Sequence, residues 1–240
     1  MYFPLFDPTM ILLIPAMILA VWAQIKVKST YAKFSQVATR SGLTGADVAK
    51  LILQDANIPL SNDPSRFPGG VACGLAAIPG ELTDHYDPRT RMLNLSEDIY
   101  YGRSIAALGI AAHEVGHAIQ HAQLYGPLAL RNIIYPVCGL GSTLAFPLFF
   151  IGLIANFGVL MQVAILLFTL AVFFTVLTLP VEFNASRRAL LALENGGYLT
   201  ADELYGARKV LSAAAMTYIA AAAMAIMQLI RMLLIARSRD

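Results

Sequence analysis

Apolar residues along this chain fall into two patterns. Four blocks are continuous: Thr9 to Ala23, extended by Tyr2 to Phe6 with Asp7 near one end; about Ile133 to Ile154; about Val159 to Leu179; and Ala213 to Ile235. Each approaches or reaches the roughly 20 apolar residues that cross a bilayer as helix, so each predicts a span. The middle two are joined by Ala155-Asn156-Phe157-Gly158, an uncharged tight connection. Between the first and second blocks the pattern is periodic instead. Thr44-Gly45-Ala46-Asp47 is a capping box with Leu43 and Val48 as a hydrophobic staple, and it predicts an amphipathic helix through about Ala56 that Pro59 ends. Ser61 to Gly80 is rich in Pro and Gly and reads as loop. Glu81 to Tyr86 and Arg91 to Ser96 alternate on either side of the turn Asp87-Pro88-Arg89-Thr90, which predicts a β-hairpin. Ser104 to Tyr125 is proline-free and alanine-rich, a helix with Gly126 and Pro127 as its stop. Thr200-Ala201-Asp202-Glu203 is a second capping box, opening the helix that runs into the last apolar block.

Composition turns the long blocks into membrane spans. The chain is 58% hydrophobic and 13% charged, against about 25% charged residues in a soluble domain. A net charge of +2 with no basic run sets nucleic acid aside as a partner. Two cysteines, Cys73 in a glycine-rich stretch and Cys138 inside an apolar block, make no disulfide framework and no metal spacing. Lys26, Lys28 and Lys33 follow the first apolar block rather than precede it, which argues against a cleaved signal peptide and puts that side in the cytoplasm, with the N-terminus outside. Two further crossings return the chain to the same side near Pro180. Arg231, Arg237 and Arg239 at the end of the fourth block run against the positive-inside bias.

The chemistry is concentrated in Ala112-His113-Glu114-Val115-Gly116-His117. Positions i and i+4 of a helix leave the same face about 40° apart, so His113 and His117 can converge on one metal. Glu114 is turned about 100° away and suits the role of general base toward a water beside the metal. Gly116 costs about 1 kcal/mol relative to Ala in a helix, and the reason for it is expected to be close approach of another backbone to this face. His121 lies about 12 Å along the axis from His113, too far to share its metal, and reads as supporting or helix-end decoration. The segment Leu179-Pro180-Val181-Glu182-Phe183-Asn184-Ala185-Ser186-Arg187-Arg188 is a proline-kinked entry to a helix closed by Gly196 and Gly197. Glu182 at a membrane boundary is expensive unless solvated, paired or bound to metal. A two-histidine, one-glutamate zinc site answers that cost; a surface ion pair with Arg187 or Arg188 is the bland alternative.

The hairpin ending TDHYDPRTRMLNLS, the helix segment AAHEVGHAIQH and the later LPVEFNASRRAL together resemble the bacterial family of membrane-bound putative neutral zinc metallopeptidases, over nearly the whole chain. The layout is more distantly similar to the membrane-integral gluzincins that include the HtpX heat-shock protease and the CAAX prenyl endopeptidases. The resemblance implies a mainly α membrane protein: about four transmembrane helices plus a small α+β zincin-like cytoplasmic part, with a β-hairpin next to the helix of the two histidines. On that basis residues 1–23 are the first span, 24–126 the zincin-like region, 127–181 a transmembrane hairpin, 182–210 the third-ligand helix and capped turn, and 211–240 the last span. In the wider group the glutamate is followed four residues on by an aspartate that supports a zinc histidine. Here that position is Ser186, so Ser186 itself, Asp84 or Asp98 is expected to take the supporting role.

The function expected is a zinc metalloendopeptidase of the bacterial inner membrane, multi-pass, with its active site on the cytoplasmic side. One Zn²⁺ per chain is held by His113, His117 and Glu182; Glu114 is the base; His85, Tyr86, Tyr205 and Arg188 are candidates to stabilise the oxyanion. The partners expected are the lipid bilayer and a peptide or protein substrate, soluble or membrane-bound, whose backbone the hairpin edge would align by strand addition; a hairpin that only covers the helix is the alternative. A zinc-binding scaffold without hydrolysis is the rival function, against which Glu114 argues, because a structural site has no need of a base. A transporter would place its ionisable residues in mid-span, whereas this motif precedes its spans.

Overall fold

The computed structural model describes residues 8–67 and 71–238. Tyr2 to Asp7, Gly69 and Gly70 of the glycine-rich stretch, and Arg239 lie outside the described residues. A 3-10 turn, Pro8–Leu13, leads into α1 (Ile14–Ser35), followed by α2 (Gly45–Asp55), β1 (Gly74–Ile78), β2 (His85–Asp87), β3 (Met92–Ser96), α3 (Glu97–Tyr100), α4 (Ile105–Ala122), α5 (Gly126–Ile154), α6 (Gly158–Asn195) and α7 (Ala201–Arg237). The protein is mainly α, and four helical stretches among the described residues are long and apolar enough to cross a membrane: Pro8–Ser35, Gly126–Ile154, Gly158–Asn195 and Ala201–Arg237.

The chain divides into two compact units. One comprises residues 1–25, 130–180 and 216–240; its core is built from Phe149 and Leu153 of α5, Met161, Phe168 and Val172 of α6, and Met232 of α7. The other comprises residues 26–129 and 181–215 and holds the sheet and α2 to α4. Its core packs Ile52 and Leu53 of α2 with Leu93 and Leu95 of β3, Leu108 and Val115 of α4, Leu193 of α6, and Leu204 and Leu211 of α7.

Local chemistry explains where the helices of the second unit begin. Thr44 Oγ1 accepts from the Asp47 amide at 3.1 Å while Asp47 Oδ2 accepts from the Thr44 amide at 3.0 Å, so the predicted capping box closes on α2. Ser104 Oγ accepts from the Ala107 amide at 3.1 Å and caps α4. Glu203 Oε2 accepts from the Thr200 amide at 2.8 Å, and Oε1 of the same carboxylate takes the Arg40 amide at 2.7 Å. The hairpin also forms: β2 and β3 pair antiparallel with Tyr86 opposite Leu93, and Arg91 in the left-handed region completes its turn.

Three local expectations are corrected. The stretch Ser61 to Gly80 is not all loop, because β1 pairs parallel with β3, from Gly74 against Met92 to Ile78 against Ser96, giving a three-stranded sheet ordered β1-β3-β2. The strand GLAAI has no alternating pattern, and its partner is the far strand of a hairpin, so nothing within its own neighbourhood marks it. Helix α4 stops at Ala122, before Gly126: Leu124 takes the left-handed turn (φ 52°), and the Tyr125 amide donates back to the Gln120 carbonyl at 2.9 Å. Gly126 instead opens α5. Pro180 does not start a new helix either, since α6 runs through it without a break from Gly158 to Asn195. A proline forfeits one backbone hydrogen bond, whereas a full break in an apolar setting would strand several more.

Candidate metal centre

Helix α4 is almost wholly buried, and only one stripe of it carries polar side chains. His113 and His117 leave that stripe one turn apart, with ring centroids 4.9 Å apart and planes at 83°. The expected reason for Gly116 is met: a Cβ there would lie 2.6 Å from the carbonyl oxygen of Ala185, so α6 crosses α4 backbone to backbone beside the histidines. That crossing carries Glu182 over the pair. Its Oε2 lies 3.3 Å from His113 Nε2 and 3.5 Å from His117 Nε2, and only 3% of Glu182 is exposed.

Those spacings test whether a metal fits. Four ligands at about 2.0–2.1 Å from a tetrahedral zinc stand about 3.3–3.4 Å from one another. The donor set, two imidazole nitrogens and one carboxylate oxygen, has all its atoms within 4.8 Å of one another, and it is the one such cluster of three among the described residues. Two histidines and a glutamate make up a catalytic zinc set that leaves a fourth position for water or substrate.

Both histidines are braced through their other nitrogen. Ser186 Oγ stands 3.1 Å from His113 Nδ1, so the serine found where the wider group has aspartate is within hydrogen-bond reach of the ring. Gln120 Oε1 stands 3.0 Å from His117 Nδ1. Gln120 Nε2 in turn donates to the Val181 carbonyl at 2.8 Å and to Asn184 Oδ1 at 2.9 Å; Asn184 Oδ1 also accepts from Arg188 Nε at 2.7 Å, and Arg188 Nη1 donates to Gln123 Oε1 at 2.6 Å. Burial opposes charge on His117, but the Glu182 and Glu114 carboxylates outweigh it and hold the ring above its ordinary range.

Glu114 is 9% exposed, and its Oε2 accepts the backbone amide of Tyr86 on β2 at 3.0 Å. The hairpin is thereby tied to the histidine helix, with β2 as an outer strand of the sheet. Asp84 is engaged elsewhere, accepting from Ser96 N at 2.8 Å and Ser96 Oγ at 3.0 Å. Its carboxyl is held above the usual range by burial and then by the Glu114 charge, with the Ser96 bonds working the other way.

The remaining candidates separate by their contacts. His85 is exposed and occupied on the hairpin, with Nδ1 2.8 Å from the Thr83 carbonyl and Nε2 3.1 Å from Asn94 Nδ2. His121 Nδ1 pairs with the Tyr86 hydroxyl at 2.8 Å, and burial followed by the Arg91 charge keeps its ring below the ordinary range. Tyr205 is exposed, with the Lys209 ammonium over its ring, and the Arg188 guanidinium lies over Tyr125. The glutamine and asparagine of this network were given no role from the sequence. Gln120 sits three residues beyond His117 on the same helix, which is the signal that marks it.

A family model described as "Putative neutral zinc metallopeptidase" matches residues 9–237. The chain is 46% identical over 224 residues to the "Putative membrane protease YugP" of Bacillus subtilis (strain 168), covering 93% of this chain and 94% of that protein. No solved structure matches.

Proposed function

Because this chain belongs to the family described as putative neutral zinc metallopeptidases, we propose that it is a membrane-integral zinc metalloendopeptidase in which His113, His117 and Glu182 hold one Zn²⁺ and Glu114 is the general base. The observation that carries the reading is the spacing of the three donor atoms, 3.3 and 3.5 Å from Glu182 Oε2 to the two imidazole nitrogens, among largely buried side chains of the right donor chemistry. Bound zinc supplies Lewis acidity to a water and to the scissile carbonyl. Glu114 takes the proton of the attacking water and passes it to the leaving amine. The Tyr86 amide holds the Glu114 carboxylate on the hairpin side of α4. β2 is an outer strand of the sheet, and backbone groups of its outer edge other than the Tyr86 amide, which Glu114 takes, would align an extended peptide with modest side-chain selectivity. The lysines at 26, 28 and 33 favour a cytoplasmic active site in a bacterial inner membrane, with soluble or membrane-bound protein substrates.

The test is Glu114→Gln. It keeps size, helix propensity and all three proposed ligands, so zinc content is expected to match wild type while hydrolysis falls about 10²–10⁴-fold. A variant that cleaves at the wild-type rate would put the base elsewhere. A wild type that binds zinc, cleaves nothing in a broad peptide library and rescues a deletion no better than Glu114→Gln would favour the scaffold.

A further inference from the structure

We propose that Gln120 is a positioning residue for the metal, holding His117, through a hydrogen-bond relay anchored by Arg188, in the orientation and tautomer that present Nε2 to the site. The sense of each bond is forced by groups that act in one direction only. Arg188 Nε can only donate, so the Asn184 atom facing it at 2.7 Å is the amide oxygen. The Val181 carbonyl can only accept, so the Gln120 atom 2.8 Å from it is the amide nitrogen, and that same nitrogen faces the Asn184 oxygen at 2.9 Å. Both hydrogens of the Gln120 amide are then engaged, its orientation is set, and its oxygen is the atom facing His117 Nδ1 at 3.0 Å. A neutral imidazole bonded to an acceptor at Nδ1 carries its proton there. Its Nε2 lone pair is left bare, on the side of Glu182 Oε2.

Burial makes the arrangement hard to replace. Gln120 is 0% exposed, so water cannot stand in for either acceptor if the amide turns over. His113 is held differently, because its Nδ1 meets a serine hydroxyl that can rotate to donate or accept. The two histidines are therefore unequal: Nδ1 of His117 faces an acceptor fixed in direction, and Nδ1 of His113 faces a hydroxyl that is not. Val181 and Asn184 also flank Glu182 on α6, so the Gln120 amide ties the ligand helix to the turn that carries the third donor.

The inference rests on His117 as a zinc ligand, and its test reads metal binding rather than hydrolysis. Zinc affinity is measured on the full-length detergent-solubilised protein by chelator competition, and the site geometry by visible absorption of the Co²⁺-substituted form. Gln120→Leu is expected to bind zinc about 10–100-fold more weakly, with altered Co²⁺ bands; its metal-free melting temperature, lowered by the buried groups it strands, is measured alongside to separate loss of fold from loss of metal. Asn184→Leu, which touches neither histidine, weakens zinc by a smaller factor, whereas Asn184→Asp keeps the accepting oxygen and binds at least as tightly as wild type. Should Gln120→Leu fail to fold, the Asn184 pair carries the test. Wild-type affinity and Co²⁺ bands in Gln120→Leu would overturn the proposal, as would equal losses in Asn184→Leu and Asn184→Asp. A wild type that binds zinc and cleaves no peptide would sink the peptidase reading and leave this one standing.

Discussion

Gly116 of α4 and Ala185 of α6 meet backbone to backbone: a Cβ on Gly116 would stand 2.6 Å from the Ala185 carbonyl oxygen and 3.2 Å from its Cα. This contact sets the depth of the site, because Glu182 and Ser186 flank Ala185 on α6 while His113 and His117 flank Gly116 on α4. The distances that a metal needs follow from this close crossing of the two helices.

Gly116→Ala is expected to separate metal binding from helix stability. The substitution favours the helix intrinsically by about 1 kcal/mol, yet it pushes α6 away and carries Glu182 off the histidines. Zinc content measured by mass spectrometry should drop well below one per chain. Gly109→Ala is the control, since its Cβ would make only ordinary contact, 3.4 Å from the Ala207 side chain, and it should retain zinc. Full occupancy in Gly116→Ala would mean that the crossing does not set the site.

The ligand set predicts a division among the histidine and glutamate variants. His113→Ala, His117→Ala and Glu182→Ala should each lose most of the zinc. His121→Ala and His85→Ala should keep it, because His121 is paired with Tyr86 and His85 is held by Thr83 and Asn94 on the hairpin. A Glu182→Ala protein with full zinc would move the third ligand elsewhere.

The cap of α2 gives a pH dependence with a definite sign. Hydrogen bonds from the Thr44 side chain and backbone hold the Asp47 carboxyl below its usual range, with burial opposing them. A carboxylate whose folded pKa is depressed contributes stability that is present above its unfolded value near 4 and lost as pH falls through the folded value. Asp47→Ala should therefore cost about 0.5–2 kcal/mol at neutral pH, the usual worth of a cap, and progressively less as the pH drops below 4. Thermal melts of both proteins across that range would show the gap closing; a constant gap would mean that the carboxylate charge contributes nothing.

Topology is testable by thiol labelling in intact cells. The native thiols are buried, and burial pushes Cys73 up to about 12, which leaves almost no thiolate to react. A cysteine at Ala155, between α5 and α6, should react with an impermeant reagent from outside, and one at Ser65 should be protected. The reverse pattern would turn the whole protein over.

What was legible in the sequence was what four or five consecutive residues decide among themselves. The Thr44 box, the β2–β3 hairpin, the common face of His113 and His117, and the four apolar lengths are all local, set by helix period, capping chemistry, turn residues and the thickness of a bilayer. Glu182 was within reach as well, because an acid at the end of an apolar block carries a cost that has to be answered. The tertiary structure decided the rest. β1 became a strand only because β3 offered it a parallel edge; α6 stayed continuous through Pro180; and Gln120 acquired its bond to Asn184 from 64 residues away. Such pairings depend on which surfaces the packed chain brings together, and a buried amide shows its direction only when every donor and acceptor around it is in place.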